Sequence, residues 1–300
     1  MKTALRNNQI HTMKTAVIIP SLNSPIIEQI ITAVLQQQNV DQQPEIIVVG
    51  KDDSGKIPTQ LPITFIDTQQ PVLAAVARNR GASATDADLL IFLDSDCIPV
   101  PTWLSAHQEA HKAGHKVVSG SVLPEGLNYW HLTYNLTLFH EVLSLNNAGP
   151  RDFLATLNLS VNREVFQSVG GMNEAINRVE DVDWTTRMRR AGIQPYFWPS
   201  AAVNHQHNRF RPRAVWRDCA LSGYHMRQLR LTHQDLLSAP GLLRYPKLVL
   251  FFSPFIAAWA TSRILWKRPY ILTKFWYTIP AIFWTKIAWC WGASRKVEPK

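Results

Sequence analysis

The sequence predicts an α/β fold, a mostly parallel sheet with helices packed on both of its faces. Two observations support this prediction. In the first hundred residues, apolar runs of strand length alternate with segments of helical spacing, and polar residues directly follow three of those runs. Strands that are almost continuously apolar are typical of parallel sheets buried on both faces. Ligands of such sheets bind beyond the carboxyl ends of the strands, so the polar residues predict one crevice there.

The predicted elements follow one another in a regular order in this first part. Apolar runs predict buried strands at 15–20, 45–50, 63–67 and 89–93. Apolar residues at helical spacing predict helices over 25–40 and 71–85, the second of which ends near Gly81. The polar strand ends are Ser21 with Asn23, Asp52 with Asp53, and Asp94 with Asp96.

The elements after residue 100 are less regular. Strands are expected over 115–124 and 195–207, and a strand, a loop and a helix over 153–174. Acids in the first turn and cations in the last turn predict a capped helix over 180–192, because both placements complement the helix dipole. A basic helix is expected over 212–237.

Length, cysteine content and charge limit the class of protein. Three hundred residues suit one large domain, alone or with an appendage. The three cysteines are widely spaced, which disfavours a disulfide framework or a thiolate zinc site and favours a reducing compartment. Residues 1–200 carry 15 basic against 19 acidic side chains, whereas residues 201–300 carry 16 against 3. This asymmetry predicts an anionic partner for one end only and disfavours nucleic acid, whose binding folds are usually basic themselves.

The last sixty residues contain two apolar stretches, 248–266 and 270–291, which hold six of the eleven tryptophans. Trp favours the membrane–water boundary, whereas the prolines and cations in both stretches disfavour a spanning helix. Helices lying in the membrane interface are the favoured interpretation; a spanning hairpin and a soluble helical subdomain or dimer interface are the alternatives. The residues before the first predicted strand contain no long apolar run, so no secretory leader is expected. The protein is therefore expected at the cytoplasmic face of the membrane, peripheral or integral through residues 241–300.

Carboxylates at two of the strand ends predict a metal and nucleotide site. Asp94 and Asp96 can approach one divalent cation if the chain turns after the strand, and oxygen ligands suit Mg²⁺ or Mn²⁺. Asp52 and Asp53 stand in a segment of turn composition. With Arg78 or Arg80 nearby, they also suit a nucleotide, the acids meeting ribose or base and an arginine meeting phosphate.

Two further groups of side chains come later. Glu180, Asp181 and Asp183 place three carboxylates within one helical turn, more than the dipole needs, and predict a general base. His205 and His207 are expected at a strand end, where one of them is either a nitrogen ligand of the metal or a contact to a diphosphate.

Taken in order, several segments resemble the family 2 glycosyltransferases, which have the Rossmann-like GT-A fold. They are AVIIPSLNS, the acidic loop after EIIVV, AAVARNRGASATDADLLIFLDSDCIPVPTWL, NLSVNREVFQSVGGMNE and EDVDWTTRMRRAG, all within residues 14–210. The resemblance implies metal-assisted transfer of a sugar from a nucleotide-diphosphate donor, linked to UDP, GDP or dTDP, with inversion at the anomeric carbon. The acceptor is expected to be a glycan or a lipid-linked molecule.

The resemblance also implies roles for single residues. On the donor side, Asp96 would bind the metal, Asp94 would lie near the ribose, and Asp52 or Asp53 would meet the base, with Pro20, Asn23 and Arg78 close by. His205 or His207 would be a further ligand of the metal. On the acceptor side, Asp181 beside Glu180 would be the base, and Gly171 and Trp184 would lie near the acceptor. One departure is that Gly50 and Lys51 precede the acids of the loop, which leaves open which aspartate meets the base.

The expected domain division follows from these assignments. Residues 1–13 form a flexible tail, 14–210 the catalytic domain with a nucleotide half to about 100, 211–240 a basic helix, and 241–300 membrane-associated helices. A sugar-phosphate nucleotidyltransferase is an alternative, but PSLNSP lacks the Gly-rich basic loop expected there. A non-catalytic membrane-associated nucleotide-sugar-binding protein is another, but it would not need the full set of acids.

Overall fold

The structure, a computed structural model, describes residues 13–58 and 60–295, so all but Met13 of the predicted tail lies outside the described residues. The strands are β1 (Thr15–Leu22), β2 (Glu45–Lys51), β3 (Thr64–Asp67), β4 (Leu89–Leu93), β5 (Cys97–Pro99), β6 (Val117–Val122), β7 (Gly149–Pro150), β8 (Asn158–Asn162) and β9 (Tyr196–His205). The helices are α1 (Ile27–Leu35), α2 (Ala74–Ser83), α3 (Trp103–Lys112), α4 (Tyr129–Leu138), α5 (Arg163–Val169), α6 (Glu180–Arg190), α7 (Pro212–Thr232), α8 (Pro246–Phe251), α9 (Ser253–Lys267), α10 (Tyr270–Lys274) and α11 (Ile279–Ala293).

One mixed sheet forms the centre, with strand order β3-β2-β1-β4-β8-β6-β9-β5 and β7 paired to β9. The strands β3, β2, β1 and β4 are parallel, as predicted. Beyond β4 the sheet is mixed: β6 and β9 pair in parallel, whereas β8 runs antiparallel to both β4 and β6, and β5 and β7 run antiparallel to β9. The chain enters β8 beside the end of β4, where the Asp94 N–H donates to the Leu157 carbonyl (3.0 Å).

Two apolar layers cover the sheet, because alternate side chains of a strand point to opposite faces. Val17 and Ile19 of β1 pack in the layer that contains α1, while Ile18 packs in the layer that contains α2 and Trp184 of α6. All three β1 side chains are fully buried. The carboxyl ends of β1, β2 and β4 therefore lie at one edge of a rigid core.

The predicted side-chain cap of α6 is wrong. Val179, at the position before Glu180, has a left-handed backbone (φ 63°) and makes no capping hydrogen bond. A β-branched residue rarely adopts this conformation, which typically costs about 1–3 kcal/mol. The chain therefore makes a strained turn directly before Glu180 and Asp181.

Helices α7 and α11 are in backbone contact through two glycines. A Cβ atom on Gly223 would lie 2.0 Å from the Trp289 carbonyl oxygen, and one on Gly292 would lie 1.7 Å from that of Ala220. Only glycine permits such an approach. Within the described part of the chain, each helix falls short of the length or the apolar character needed to cross a membrane.

Candidate active site

A cavity of about 260 Å³ opens at the carboxyl ends of β1, β2 and β4, as the polar strand ends predicted. Pro20 and Ser21 line it from β1, Gly50 and Lys51 from β2, and Arg78 from α2, together with the turn of Asp94, Ser95 and Asp96. Gly50 is required by close packing, since a Cβ there would lie 1.7 Å from the Ser21 carbonyl oxygen. Strand β2 thus includes Gly50 and Lys51, and Asp52 and Asp53 follow directly after it.

Asp52 and Asp53 have separate hydrogen-bond partners. Asp52 accepts hydrogen bonds from the Ile57 N–H (2.7 Å) and the Ser54 hydroxyl (3.1 Å), so it stabilises its own turn. Asp53 accepts from the Asn23 amide (3.0 Å), its N–H donates back to Asn23 Oδ1 (2.7 Å), and it pairs with Lys51. These bonds to Lys51 and Asn23 lower the pKa of Asp53. Asn23 and Asp53 thereby fix the loop that follows β2 to the end of β1.

Arg78 links the two acidic groups of the sequence. Its side chain is buried, and its guanidinium donates to Asp94 (2.6 Å) and to Glu180 (2.7 Å). Burial alone would lower the pKa of Arg78, but these carboxylates outweigh burial and raise it. Both terminal nitrogens of its guanidinium thus already hold carboxylates, while Arg78 also lines the cavity, and its contact with phosphate stays a prediction. Arg80, the other arginine of the segment, is exposed.

Asp96 faces His205, the last residue of β9. The distance from Asp96 Oδ2 to His205 Nε2 is 3.4 Å, and Arg209 lies 3.9 Å from the same oxygen. Burial would raise the pKa of Asp96, but His205 and then Arg209 outweigh it and lower the pKa to about 2. Asp96 is therefore an anion at every physiological pH.

A second hydrogen bond sets the tautomer of His205. The amide nitrogen of Asn135 donates to the Glu125 carbonyl (3.0 Å), which turns its Oδ1 toward His205 Nδ1 (3.0 Å). Nδ1 must carry a proton to make that bond, and Nε2 is the ring nitrogen that faces Asp96.

The donor atoms around this pair fit a divalent cation. Ligand atoms of Asp96, Cys97 and His205 all lie within 4.8 Å of one another. Burial and the neighbouring Asp96 raise the pKa of the Cys97 thiol well above its usual value, so the sulfur stays protonated. The carboxylate and the imidazole then remain as donors, a set that suits Mn²⁺ or Mg²⁺.

His207 lies beside this pair in a different environment. Its ring stacks on His131 with 3.9 Å between the centroids, and its Nδ1 accepts from the Arg209 N–H (3.0 Å). Burial and the neighbouring imidazoles lower its pKa to about 2. His205 is therefore the histidine that the structure places against Asp96.

The acids of α6 have two different surroundings. Burial, and then the charge of Glu180, raise the pKa of Asp181 to about 7. Its carboxylate accepts one backbone hydrogen bond, from Val182 (2.8 Å). Asp183 instead points away from the crevice and pairs with Arg187 (3.0 Å) and His233 (2.9 Å). Asp181 thus has the pKa of a proton acceptor near neutral pH, whereas Asp183 anchors α6 to the residues after α7.

The two residues expected near the acceptor have packing contacts around α6, with Gly171 half-buried. Trp184 is fully buried, donates to the Gly170 carbonyl (2.8 Å) and packs edge-on against Phe92, so its side chain has no exposed surface for contact with an acceptor. Gly171 lies against α2, where a Cβ would come within 2.6 Å of Asn79 Oδ1. Both residues stabilise the wall that carries α6.

The comparison with known families adds to this geometry. The family profile described as "Glycosyl transferase family 2" matches residues 16–214. The chain belongs to glycosyl transferase family 2. The matched segment contains the cavity, the Asp96–His205 pair and the acids of α6, and ends just inside α7.

Curated relatives and solved structures agree with this membership. The glycosyltransferase AglE of Haloferax volcanii is 29% identical over 194 residues, which cover 61% of this chain and 63% of that protein. The pre-mycofactocin glycosyltransferase of Mycobacterium tuberculosis is 29% identical over 143 residues, 44% of this chain and 30% of that protein. The chain thus matches less than two thirds of the length of either relative.

Two solved structures share the fold. The mannosyltransferase PcManGT from Pyrobaculum calidifontis, in complex with GDP-Man and Mn²⁺, superimposes with a TM-score of 0.58 at 16% identity, covering 92% of this chain and 86% of that one. GalNAc-T7 with UDP, GalNAc and Mn²⁺ gives a TM-score of 0.55 at 12% identity, covering 88% of this chain and 58% of that one. At these identities the likeness establishes the GT-A architecture.

The family 2 site also contains residues that the sequence did not single out. Arg209 lies between Asp96 (3.9 Å) and Asp218 of α7 (3.6 Å), with its guanidinium 5.1 Å over the ring of Tyr134. Asp218 also binds Arg178 (2.9 Å) and accepts from the Tyr134 hydroxyl. A cation four positions after His205 is the only sequence signal of this cluster, because Tyr134, Arg178 and Asp218 come from three distant segments.

Proposed function

We propose that this protein transfers a hexosyl group from a nucleotide-diphosphate donor to an acceptor hydroxyl with inversion. One observation carries the proposal: Asp96, whose pKa is lowered to about 2 beside His205, and Asp181, with a pKa of about 7, stand in two turns that the buried Arg78 joins by binding their neighbours Asp94 and Glu180. An inverting transfer needs charge neutralisation on the leaving diphosphate and a base for the incoming hydroxyl. The two acids have the properties for these two tasks.

The donor is assigned to the cavity at the ends of β1, β2 and β4. Asp96 and His205 would hold a divalent cation there, and Mn²⁺ named with both solved structures supports such a cation. When bound, the cation neutralises negative charge on the diphosphate. Lys51 on one wall and Arg209 beside Asp96 add positive charge to the same region. Asp94, held by Arg78, is assigned to the ribose.

The base is Asp181. As the acceptor oxygen bonds to the anomeric carbon, Asp181 takes the proton of that hydroxyl while the bond from the carbon to the diphosphate oxygen breaks. Because attack and departure occur on opposite sides of the carbon, the configuration inverts. Glu180 does not share this task, since Arg78 holds its carboxylate at 2.7 Å. It positions the first turn of α6.

The donor and acceptor are proposed by class only. UDP-, GDP- and dTDP-linked sugars all fit the assignments, and the acceptor is proposed to be a glycan or a lipid-linked hydroxyl. The names of the relatives and neighbours, which include glycosyltransferases and complexes with GDP-Man and UDP, support a nucleotide-sugar donor.

A thermal-shift panel of nucleotide sugars, with and without Mn²⁺, tests the proposal. One donor should raise the melting temperature when Mn²⁺ is present, and Asp96→Asn should abolish this shift. The matched control is Asp41→Asn, an exposed acid outside the crevice, which should leave the shift intact. Stabilisation by every nucleotide sugar without metal, unchanged in Asp96→Asn, would contradict the assignment.

A further inference from the structure

The first of the two apolar stretches leaves its largest side chains in solvent. Phe251, Phe255, Trp259 and Trp266 are 74%, 73%, 63% and 88% exposed. These four residues are called the aromatic face below. Isolated exposed apolar residues are common, but contiguous groups of large ones mark interaction sites.

The aromatic face is continuous along α9. Phe255, Trp259 and Trp266 are four and seven positions apart, so they lie on one side of the helix. Phe252, between α8 and α9, contacts the rings of both Phe251 (5.0 Å between centroids) and Phe255 (6.4 Å). An apolar hollow of about 460 Å³ adjoins Trp266, formed by Ser262 and Leu265 of α9 with Pro269 and Leu272.

Cations accompany this face, and their own segment contributes no acid; Lys267 lies 3.8 Å from Glu141 of an earlier segment. The sequence contains no Asp or Glu between Asp235 and Glu298. Lys247, Arg263, Lys267 and Lys274 are exposed, and the Arg263 guanidinium lies 5.3 Å over the ring of Trp259. Aromatic side chains bordered by cations match the two layers of an anionic lipid surface, acyl chains below and charged headgroups above.

The second apolar stretch is used differently. Helix α11 packs on α7 through the glycine contacts, and its Trp284 contacts Trp130 and Trp216. The ammonium group of its Lys286 is buried and donates to the Thr137 carbonyl (3.3 Å). Its side chains are therefore partners for the rest of the protein, whereas the aromatic face is exposed to solvent.

We propose that the aromatic face docks on the surface of an anionic lipid bilayer, with α8 and α9 lying in the plane of the headgroups. A second copy of the chain fits less well, because a two-fold interface would bring the same cations of both copies together with no acid from this segment between them. The proposal is independent of the transfer activity.

Vesicle flotation of the full chain tests the docking. The protein should float with vesicles of phosphatidylcholine containing 30% phosphatidylglycerol, and more weakly with phosphatidylcholine alone. The triple variant Phe255→Ser, Trp259→Ser, Trp266→Ser should lose about tenfold or more of its binding to both, because these side chains carry the apolar contact. The control Phe65→Ser, Leu127→Ser also removes exposed apolar side chains (38% and 69%) but should bind normally.

The cations provide a second, separate measurement. Lys247→Ala with Lys274→Ala should lower binding to the anionic vesicles by about fivefold per charge and leave binding to neutral vesicles unchanged. Lys112→Ala with Lys116→Ala, exposed lysines elsewhere, is the matched control. Melting curves establish that all variants are folded.

Two results would overturn the proposal. The first is wild-type protein that stays at the bottom of the gradient with both vesicle types, which contradicts docking directly and requires no variant. The second is a dimer in sedimentation equilibrium that the triple variant converts to a monomer without any change in vesicle binding, which assigns the face to a second copy.

Discussion

Two acidic turns of this protein, Asp94–Asp96 and Glu180–Asp183, look alike in the sequence and differ in their electrostatics. Asp96 lies among cations, which lower its pKa to about 2, whereas Asp181 is buried beside another carboxylate and has a pKa of about 7. Arg78 joins the two turns by binding one acid from each. The neighbours, and not the residue type, therefore separate a cation ligand from a proton acceptor.

The largest effect is expected from a substitution that removes the proposed proton acceptor, Asp181. Asp181→Asn should lower kcat by about 10³-fold, since general bases typically contribute 10²–10⁴-fold, and should leave donor binding unchanged. Steady-state kinetics with thermal-shift binding of the donor measures both quantities. Asp183→Asn, in the same turn but bonded to Arg187 and His233, should lower stability and keep kcat within a few-fold. Equal losses of kcat in both variants would remove the distinction between the two acids.

Breaking the link between the turns should mainly affect stability. Arg78→Gln leaves Asp94 and Glu180 without their buried cation, and loss of one partner of a buried pair typically costs about 3–5 kcal/mol. Urea unfolding measures the change in the free energy of unfolding. Arg80→Gln is the control, because Arg80 is exposed in the same helix and should change stability by less than about 0.5 kcal/mol. A loss below about 1 kcal/mol in Arg78→Gln would show that the turns do not depend on each other.

The Asp94–Asp96 turn is tested by measuring metal-dependent binding of the donor. Asp96→Asn should weaken Mn²⁺-dependent donor binding by about 100-fold, whereas Asn135→Leu, which frees the tautomer of His205, should weaken it by roughly 10-fold. Titration calorimetry with Mn²⁺ and the donor measures both. Donor binding that is equally strong without metal, in wild type and variants, would contradict a cation ligand at Asp96.

The pH profile tests the raised pKa. A base with a pKa of about 7 is protonated below that pH, so log kcat should fall by one per pH unit below about 7 and level off above it. The charge of Arg78 lowers the pKa of Asp181, so Arg78→Gln should move this limb to higher pH. A limb that stays near pH 4 would show that Asp181 is not the titrating base.

The smallest expected effect is on thermal stability. The folded pKa of Asp181 is raised above that of the unfolded chain, so its favourable contribution is complete below about pH 4 and is lost as the pH rises through about 7. The gain in stability of Asp181→Asn relative to wild type should therefore increase from pH 5 to pH 8.5, by about 2–3 kcal/mol. Calorimetry at the two pH values measures the gain. A gain that is larger at pH 5 than at pH 8.5 would contradict a raised pKa of Asp181.

Much of this site could be predicted from the sequence, because apolar runs followed directly by polar residues mark the ends of buried strands. The runs that end at Ser21 and Asp94 are continuous and apolar, so the parallel half of the sheet and its crevice followed from local pattern. The antiparallel direction of β8 did not follow from local pattern, because it depends on where the long connection before β8 brings the chain back to the sheet. Arg78 was expected at phosphate. Its pairing with Glu180 could not be predicted, because no sequence pattern shows that this residue, 102 positions away, lies against it. The burial of Trp184 likewise depends on Phe92, a residue of another strand.

The glycine contact between α7 and α11 bears on how the chain can be divided. The family segment ends at residue 214, but α7 continues beyond it and carries Asp218, which holds Arg209 beside the crevice. Gly223 and Gly292 join α7 to the last helix so closely that neither tolerates a single methyl group. A fragment that ends at the family boundary would lack Asp218, and a fusion that replaces the last sixty residues would expose the face of α7 behind it. The catalytic unit is therefore not a removable module, and expression of this protein in pieces should fail before its chemistry can be measured.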